Sequence, residues 1–131
     1  MRDPAPSRSG SVSFEPAEFI ETRIHRRQPG TAVLAVQGEI DTVTAPTFAA
    51  ATKDLVSGSE QRLVIDMTGV RFLGSSGLAV LVEAAQRVEE RGTRLRLVVT
   101  TRAVRRPLEL TGTDRLFDLH TELVTATDGP D

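Results

Sequence analysis

The stretch "VRFLGSSGLAVLVEAA", Val70 to Ala85, joins two patterns of different period. Just upstream, "RLVIDM" holds the continuous run Leu63, Val64 and Ile65. Such a run reads as a strand buried on both faces. Downstream, Leu78, Leu81, Val82, Ala85 and Val88 recur at helical spacing, and Gly92 is placed to end the helix. Asp66 is expected as a turn residue closing the strand. A strand, then Gly74-Ser75-Ser76-Gly77, then an amphipathic helix that begins near Ser76, is the expected order.

The same alternation extends in both directions. "FIETRIHRR" puts Ile20, Thr22 and Ile24 on one face of a strand. Pro29-Gly30 marks a turn, and "TAVLAVQG" reads as the second strand of a hairpin. In "TVTAPTFAAATKDLVSG", Thr44 is placed to cap a helix, and Phe48, Thr52, Leu55 and Val56 mark its inner face. "TRLRLVVT" places Leu95, Leu97 and Val99 on one face of a strand. "TRAVRRPLELTG" reads as a helix with Val104, Leu108 and Leu110 inward, kinked or broken early at Pro107. A short helix over "DRLFDL" and a weak edge strand over "HTELVTAT" complete the pattern. Strands separated by helices predict an α/β sandwich with parallel strand pairs. Residues 1–11 are expected as a disordered tail, 12–125 as the domain and 126–131 as a second disordered tail.

Composition excludes several classes of function. The chain has 131 residues, enough for one hydrophobic core. It has no cysteine, which removes disulfides, thiol catalysis and cysteine-ligated metal. The net charge of −2 does not suit direct binding of nucleic acid. No apolar run reaches the length of a membrane span, and the first residues lack the apolar core of a signal peptide. A cytoplasmic protein that does not insert into membranes is expected. The two histidines, His25 and His120, stand apart and suit the surface better than a catalytic base or a zinc site. No paired carboxylates or triad converge, and no cofactor or metal motif is present. The seven arginines from Arg87 to Arg106 read as helix-end complements and solvated strand edges.

Ser75 and Ser76 admit two readings. A serine at the start of a helix accepts hydrogen bonds from unpaired N–H groups and acts as a cap. Alternatively it accepts a phosphate, because the same N–H groups and the helix dipole favour an anion. "GSSG" is neither the Gly-x-Ser-x-Gly elbow of a hydrolase nor a P-loop. Spacing alone leaves both readings open.

Three ordered blocks carry a resemblance that spacing does not. "VIDMTGVRFLGSSGLAVLVEA" resembles the signature segment of STAS domains, the family of bacterial anti-sigma factor antagonists. "LAVQGEIDTVTAPTF" resembles the family's turn, with Gly38-Glu39-Ile40-Asp41 at the matching positions, and "AVRRPLELTGTDRLF" resembles its late helix and turn. The family's aspartate before the acceptor serine is Gly74 here, which removes negative charge from the helix start.

The resemblance implies a mixed β-sheet of four to five strands with helices covering one face. It implies a non-enzymatic anti-sigma factor antagonist. Such a protein binds an anti-sigma factor with serine kinase activity and releases a sigma factor. Phosphorylation at the serine that corresponds to Ser75, with Ser76 as runner-up, ends the binding, and a phosphatase resets it. The implied partner surface comprises Asp41, Gly74, Ser75, Ser76, Gly77 and Leu78. Asp41 is expected in an exposed turn, contributing to partner contact and not to stability. The alternative is a STAS module that works without phosphorylation in a lipid-transport or stress-sensing complex.

Overall fold

A computed structural model describes residues 19–128. The expected tail over 1–11 and the first residues assigned to the domain, 12–18, lie outside the described residues, as do 129–131. Strands β1 (Ile20–Gln28) and β2 (Thr31–Ile40) form the expected hairpin, paired antiparallel from Ile20 opposite Gly38 to Gln28 opposite Thr31. Gly30 takes φ of 87° in the connecting turn, a conformation that favours glycine. Helix α1 (Ala45–Val56) crosses over to β3 (Arg62–Leu73), which lies parallel to β2. Helix α2 (Ser75–Glu89) crosses to β4 (Arg96–Val98), parallel to β3. Helix α3 (Arg102–Leu110) and a 3-10 turn (Thr113–Leu116) lead to β5 (Asp118–His120), parallel to β4. Helix α4 (Leu123–Asp128) follows. The sheet is mixed and five-stranded, in the order β1-β2-β3-β4-β5.

The main core lies on one face of this sheet. Leu34, Ile65 and Leu97 meet Phe48 and Leu55 of α1, Leu81 and Val88 of α2, and Val104 and Leu108 of α3. Burial of each large side chain contributes about 1.5–3 kcal/mol. The central run divides as strand geometry requires: Leu63 and Ile65 join this core, while Val64 points to the other face. There Val33, Val64 and Val98 pack against Ala126 of α4.

Several expectations need correction. No turn follows Asp66; β3 continues to Leu73 through a bulge, its pairing with β2 skipping from Asp66 to Gly69. The Thr68 N–H donates to Asp66 Oδ1 at 3.1 Å, so the carboxylate holds the bulge. Thr44 occupies the N-cap position of α1 but makes no side-chain capping bond. Pro107 does not break α3. The bond its ring removes would go to the carbonyl of Ala103, which is exposed, and the buried face of Val104 and Leu108 persists. Leu110 points outward, 71% exposed, because six residues past Val104 the helix has turned off its inner face.

The "DRLFDL" segment is a 3-10 turn followed by β5, and the "HTELVTAT" segment extends that strand only to His120 before α4 begins. The expected tail at 126–131 starts inside α4, where Ala126 and Thr127 are fully buried. Two arginines hold this helix on the sheet. Arg96, itself 6% exposed, donates to the Ala126 carbonyl at 2.9 Å, and Arg62 donates to that of Thr127. Arg91 donates to the Val56 carbonyl at 3.0 Å at the end of α1. Arg91 thus complements a helix end as expected, whereas Arg96 is buried and structural where a solvated strand edge was expected.

Candidate functional site

Strands β2 and β3 end side by side. Ile40 pairs with Leu73, and the Gly74 N–H donates to the Ile40 carbonyl at 2.9 Å. This register brings Asp41, which follows β2, next to Gly74 and Ser75, which follow β3.

The turn after β2 is organised by Asp41. Its Oδ1 accepts the N–H groups of Val43 and Thr44, each at 3.0 Å. The Asp41 N–H donates to Thr44 Oγ1 at 3.0 Å, and the Thr44 hydroxyl donates to the Glu39 carbonyl at 2.7 Å. Thr44 is buried and Asp41 half-buried. The hydrogen bond from the Thr44 main chain holds the Asp41 carboxyl below its ordinary value, helped by the Thr44 hydroxyl and the Val43 N–H against a smaller opposing effect of desolvation. Asp41 thus has a structural role, where an exposed residue with no part in stability was expected.

The turn after β3 is built differently. Helix α2 begins at Ser75, one residue earlier than expected, and its N-cap is Gly74, with φ −93° and ψ −179°. These angles suit any residue. Gly77 and Leu78 donate their N–H groups to the Gly74 carbonyl, each at 3.0 Å. Ser75 is exposed and Ser76 half-buried. Neither hydroxyl caps the helix, and among the described residues neither serine's N–H has an acceptor. Donors at the start of a helix are left to solvent or to an anion.

Packing, rather than polar contact, holds this helix end. A Cβ on Gly77 would lie 2.5 Å from Ile40 Cγ2 and 2.7 Å from Leu73 Cδ1. Only a glycine lets the first turn of α2 settle onto the paired strand ends. Gly77 is therefore buried and Leu78 packs against the core, which withdraws Gly77 from the expected partner surface. Asp41, Gly74, Ser75, Ser76 and Leu78 remain at least partly accessible.

Two neighbours escaped the sequence reading. Phe72 is 50% exposed and its ring lies over Gly74, where a Cβ would be 3.1 Å from Phe72 Cε2. Phe19 is 60% exposed. Strict alternation from the core residues Leu73 and Ile20 would have turned both outward.

The histidines do not assemble a site. His25 pairs with Val33 near the start of β2, and His120 Nδ1 lies 3.1 Å from Thr125 Oγ1. Among the described residues there is no group of three or more acidic or histidine side chains suited to a metal ion, and no helix long and apolar enough to cross a membrane.

Comparison with known proteins agrees with this architecture. The STAS domain model matches residues 10–126. The chain is 36% identical over 100 residues to the anti-sigma-F factor antagonist RsfB of Mycobacterium tuberculosis, spanning 76% of this chain and 81% of that protein. RsfA, an anti-sigma-F factor antagonist of the same organism, is 27% identical over 121 residues, spanning 88% and 91%. The crystal structure of an anti-sigma factor antagonist from Mycobacterium paratuberculosis has 38% identity and a TM-score of 0.77, over 83% of this chain and 92% of that one. With a family match that runs through nearly all the described residues, this chain belongs to the STAS domain family.

Proposed function

We propose that this protein is an anti-sigma factor antagonist, a binding protein and not an enzyme, that acts in the cytoplasm. In this reading it binds an anti-sigma factor with serine kinase activity and so releases a sigma factor. Phosphorylation of Ser75 ends the binding and a phosphatase restores it. The observation that carries the reading is the exposed Ser75 at the start of α2, with its hydroxyl uncommitted and unpaired N–H groups beside it. The similarity to RsfB and RsfA supports the partner class.

The electrostatics of the site favour a switch. A phosphate adds close to two negative charges at neutral pH. On Ser75 it would stand beside the Asp41 turn and would have to lose water for a partner to stay seated. Each tenfold loss of affinity corresponds to about 1.4 kcal/mol, so a penalty of a few kcal/mol is enough to empty the complex. The fold itself is expected to tolerate the anion, because a negative charge suits a helix N-terminus.

The test is to incubate the full chain with the anti-sigma factor from its own organism, with and without ATP. Phosphate should appear on Ser75 and the complex should dissociate. Ser75→Ala should stay bound in ATP, and Ser75→Glu should bind weakly without it. If neither Ser75 nor Ser76 gains phosphate and binding ignores ATP, the protein is a constitutive binding module.

A further inference from the structure

Strand pairing sets two aromatic rings in one row at the Ser75 end of the sheet. Glu39 pairs with Phe72 on one side, and on the other its N–H donates to the Phe19 carbonyl at 3.5 Å. Ile20, Ile40 and Leu73, the next residue along each strand, all pack in or against the main core. Phe19, Glu39 and Phe72 therefore project from the opposite face. Helix α4 covers that face only around Val33, Val64 and Val98, toward the far end of the strands. Both rings are left more than half-open or nearly so, at 60% and 50% exposure. Two strand spacings separate them, roughly 10 Å. Phe19 and Phe72 are the only exposed aromatic side chains among the described residues, since Phe48 and Phe117 are buried.

Gly74 ties this row to the acceptor serine. Its extended backbone does not require glycine. What the missing side chain provides is room, since a Cβ would press on the ring of Phe72 at 3.1 Å and 3.5 Å. The ring consequently lies against the residue immediately before Ser75.

We propose that Phe19 and Phe72 are the apolar anchors by which this protein holds its anti-sigma factor, with Phe72 the stronger because it adjoins Ser75. The partner presents a matching apolar pocket to each ring. This inference rests on the antagonist reading above and adds a reason for the switch. A phosphate on Ser75 would be pressed into the apolar seat of Phe72, where an anion loses water without gaining a partner. Aromatic side chains are the commonest energetic centres of protein interfaces.

The experiment measures affinity of the full chain for the anti-sigma factor from its own organism, without ATP, alongside melting curves. Phe72→Ala should weaken binding about tenfold or more, and Phe19→Ala by a few-fold, with the fold retained. Phe72→Leu keeps an apolar strand residue but loses the ring, and should also bind more weakly, which guards against misfolding of the alanine variant. Gly74→Ala should displace the ring and weaken binding in the wild-type background, yet change little once Phe72 is alanine. Leu110→Ala is the control. Leu110 is more exposed than either ring but ends α3, whose crossover geometry carries it to the opposite end of the sheet, and its loss should leave affinity unchanged. If wild type binds and the Phe72 variants bind equally well, the anchor assignment is overturned while the antagonist reading stands. If wild type binds no anti-sigma factor, both fall together.

Discussion

The two strand ends that meet at Ile40 and Leu73 solve one problem in different ways. After β2, side chains form the turn: the Asp41 carboxylate and the Thr44 hydroxyl take up main-chain groups of Val43, Thr44, Asp41 and Glu39. After β3, side chains form none of it. The Gly74 N–H reaches the Ile40 carbonyl, Gly77 seats the helix on Ile40 and Leu73, and both serine hydroxyls stay free. A turn held by polar side chains has spent them. A turn held by backbone and close packing leaves its hydroxyls available for chemistry. The chain places the candidate acceptor in the second kind and supports it with the first.

Substitutions at four positions test this contrast, from the largest effect to the smallest. Both turns depend on the sheet between them, so Ile65→Asp should abolish folding. Ile65 is fully buried, and an unpaired charge there costs an amount comparable with the whole stability margin of about 5–15 kcal/mol. A native-like melting curve would refute the placement of β3 in the core. Next, Gly77→Ala should destabilise the β3 end specifically. Overpacking costs about 1–3 kcal/mol and outweighs the roughly 1 kcal/mol that alanine gains over glycine within a helix. A rise in melting temperature would mean that packing does not hold this turn.

Asp41→Ala should lower the melting temperature by less, and Asp41→Asn should recover much of the loss by keeping an acceptor oxygen. The pH dependence has a definite sign. The carboxyl titrates lower in the folded chain than in the unfolded one. Its contribution is therefore complete above its ordinary value of about 3.9 and disappears as pH falls through the lower folded value. The gap in melting temperature between wild type and Asp41→Ala should narrow in that acid range, and a constant gap would show that the carboxylate charge plays no part. Smallest is Ser75→Ala, expected to change stability by no more than about 0.5 kcal/mol, as for an exposed side chain without partners. A loss near 1 kcal/mol would instead reveal a helix cap.

The sequence was most legible where one period dominates. The run Leu63 to Ile65 announced a strand buried on both faces, and β3 is the central strand. The helical recurrence of Leu81, Ala85 and Val88 identified the buried face of α2, and Phe48, Thr52, Leu55 and Val56 that of α1. Legibility failed where local signals compete with distant contacts. "HTELVTAT" favours a strand by propensity, yet it is mostly helix, because Arg62 and Arg96 bind its carbonyls and Ala126 seals Val33, Val64 and Val98.

What the sequence by itself determined is the order of elements as far as α3, the inward faces of α1 and α2, and the serine pair at a strand-to-helix junction. These follow from side-chain period and turn chemistry, which are local. Only the tertiary structure decided which polar groups are spent and which are free. Asp41 is engaged because Thr44 folds back on it, and Gly77 is buried because Ile40 and Leu73 arrive beneath it. Phe19 and Phe72 share one row because two separate strands align on Glu39. The burial of Gly77 and the shared row of Phe19 and Phe72 depend on the register between segments far apart in the chain, a property of the whole packed sheet, whereas the Asp41 turn closes within residues 39–44.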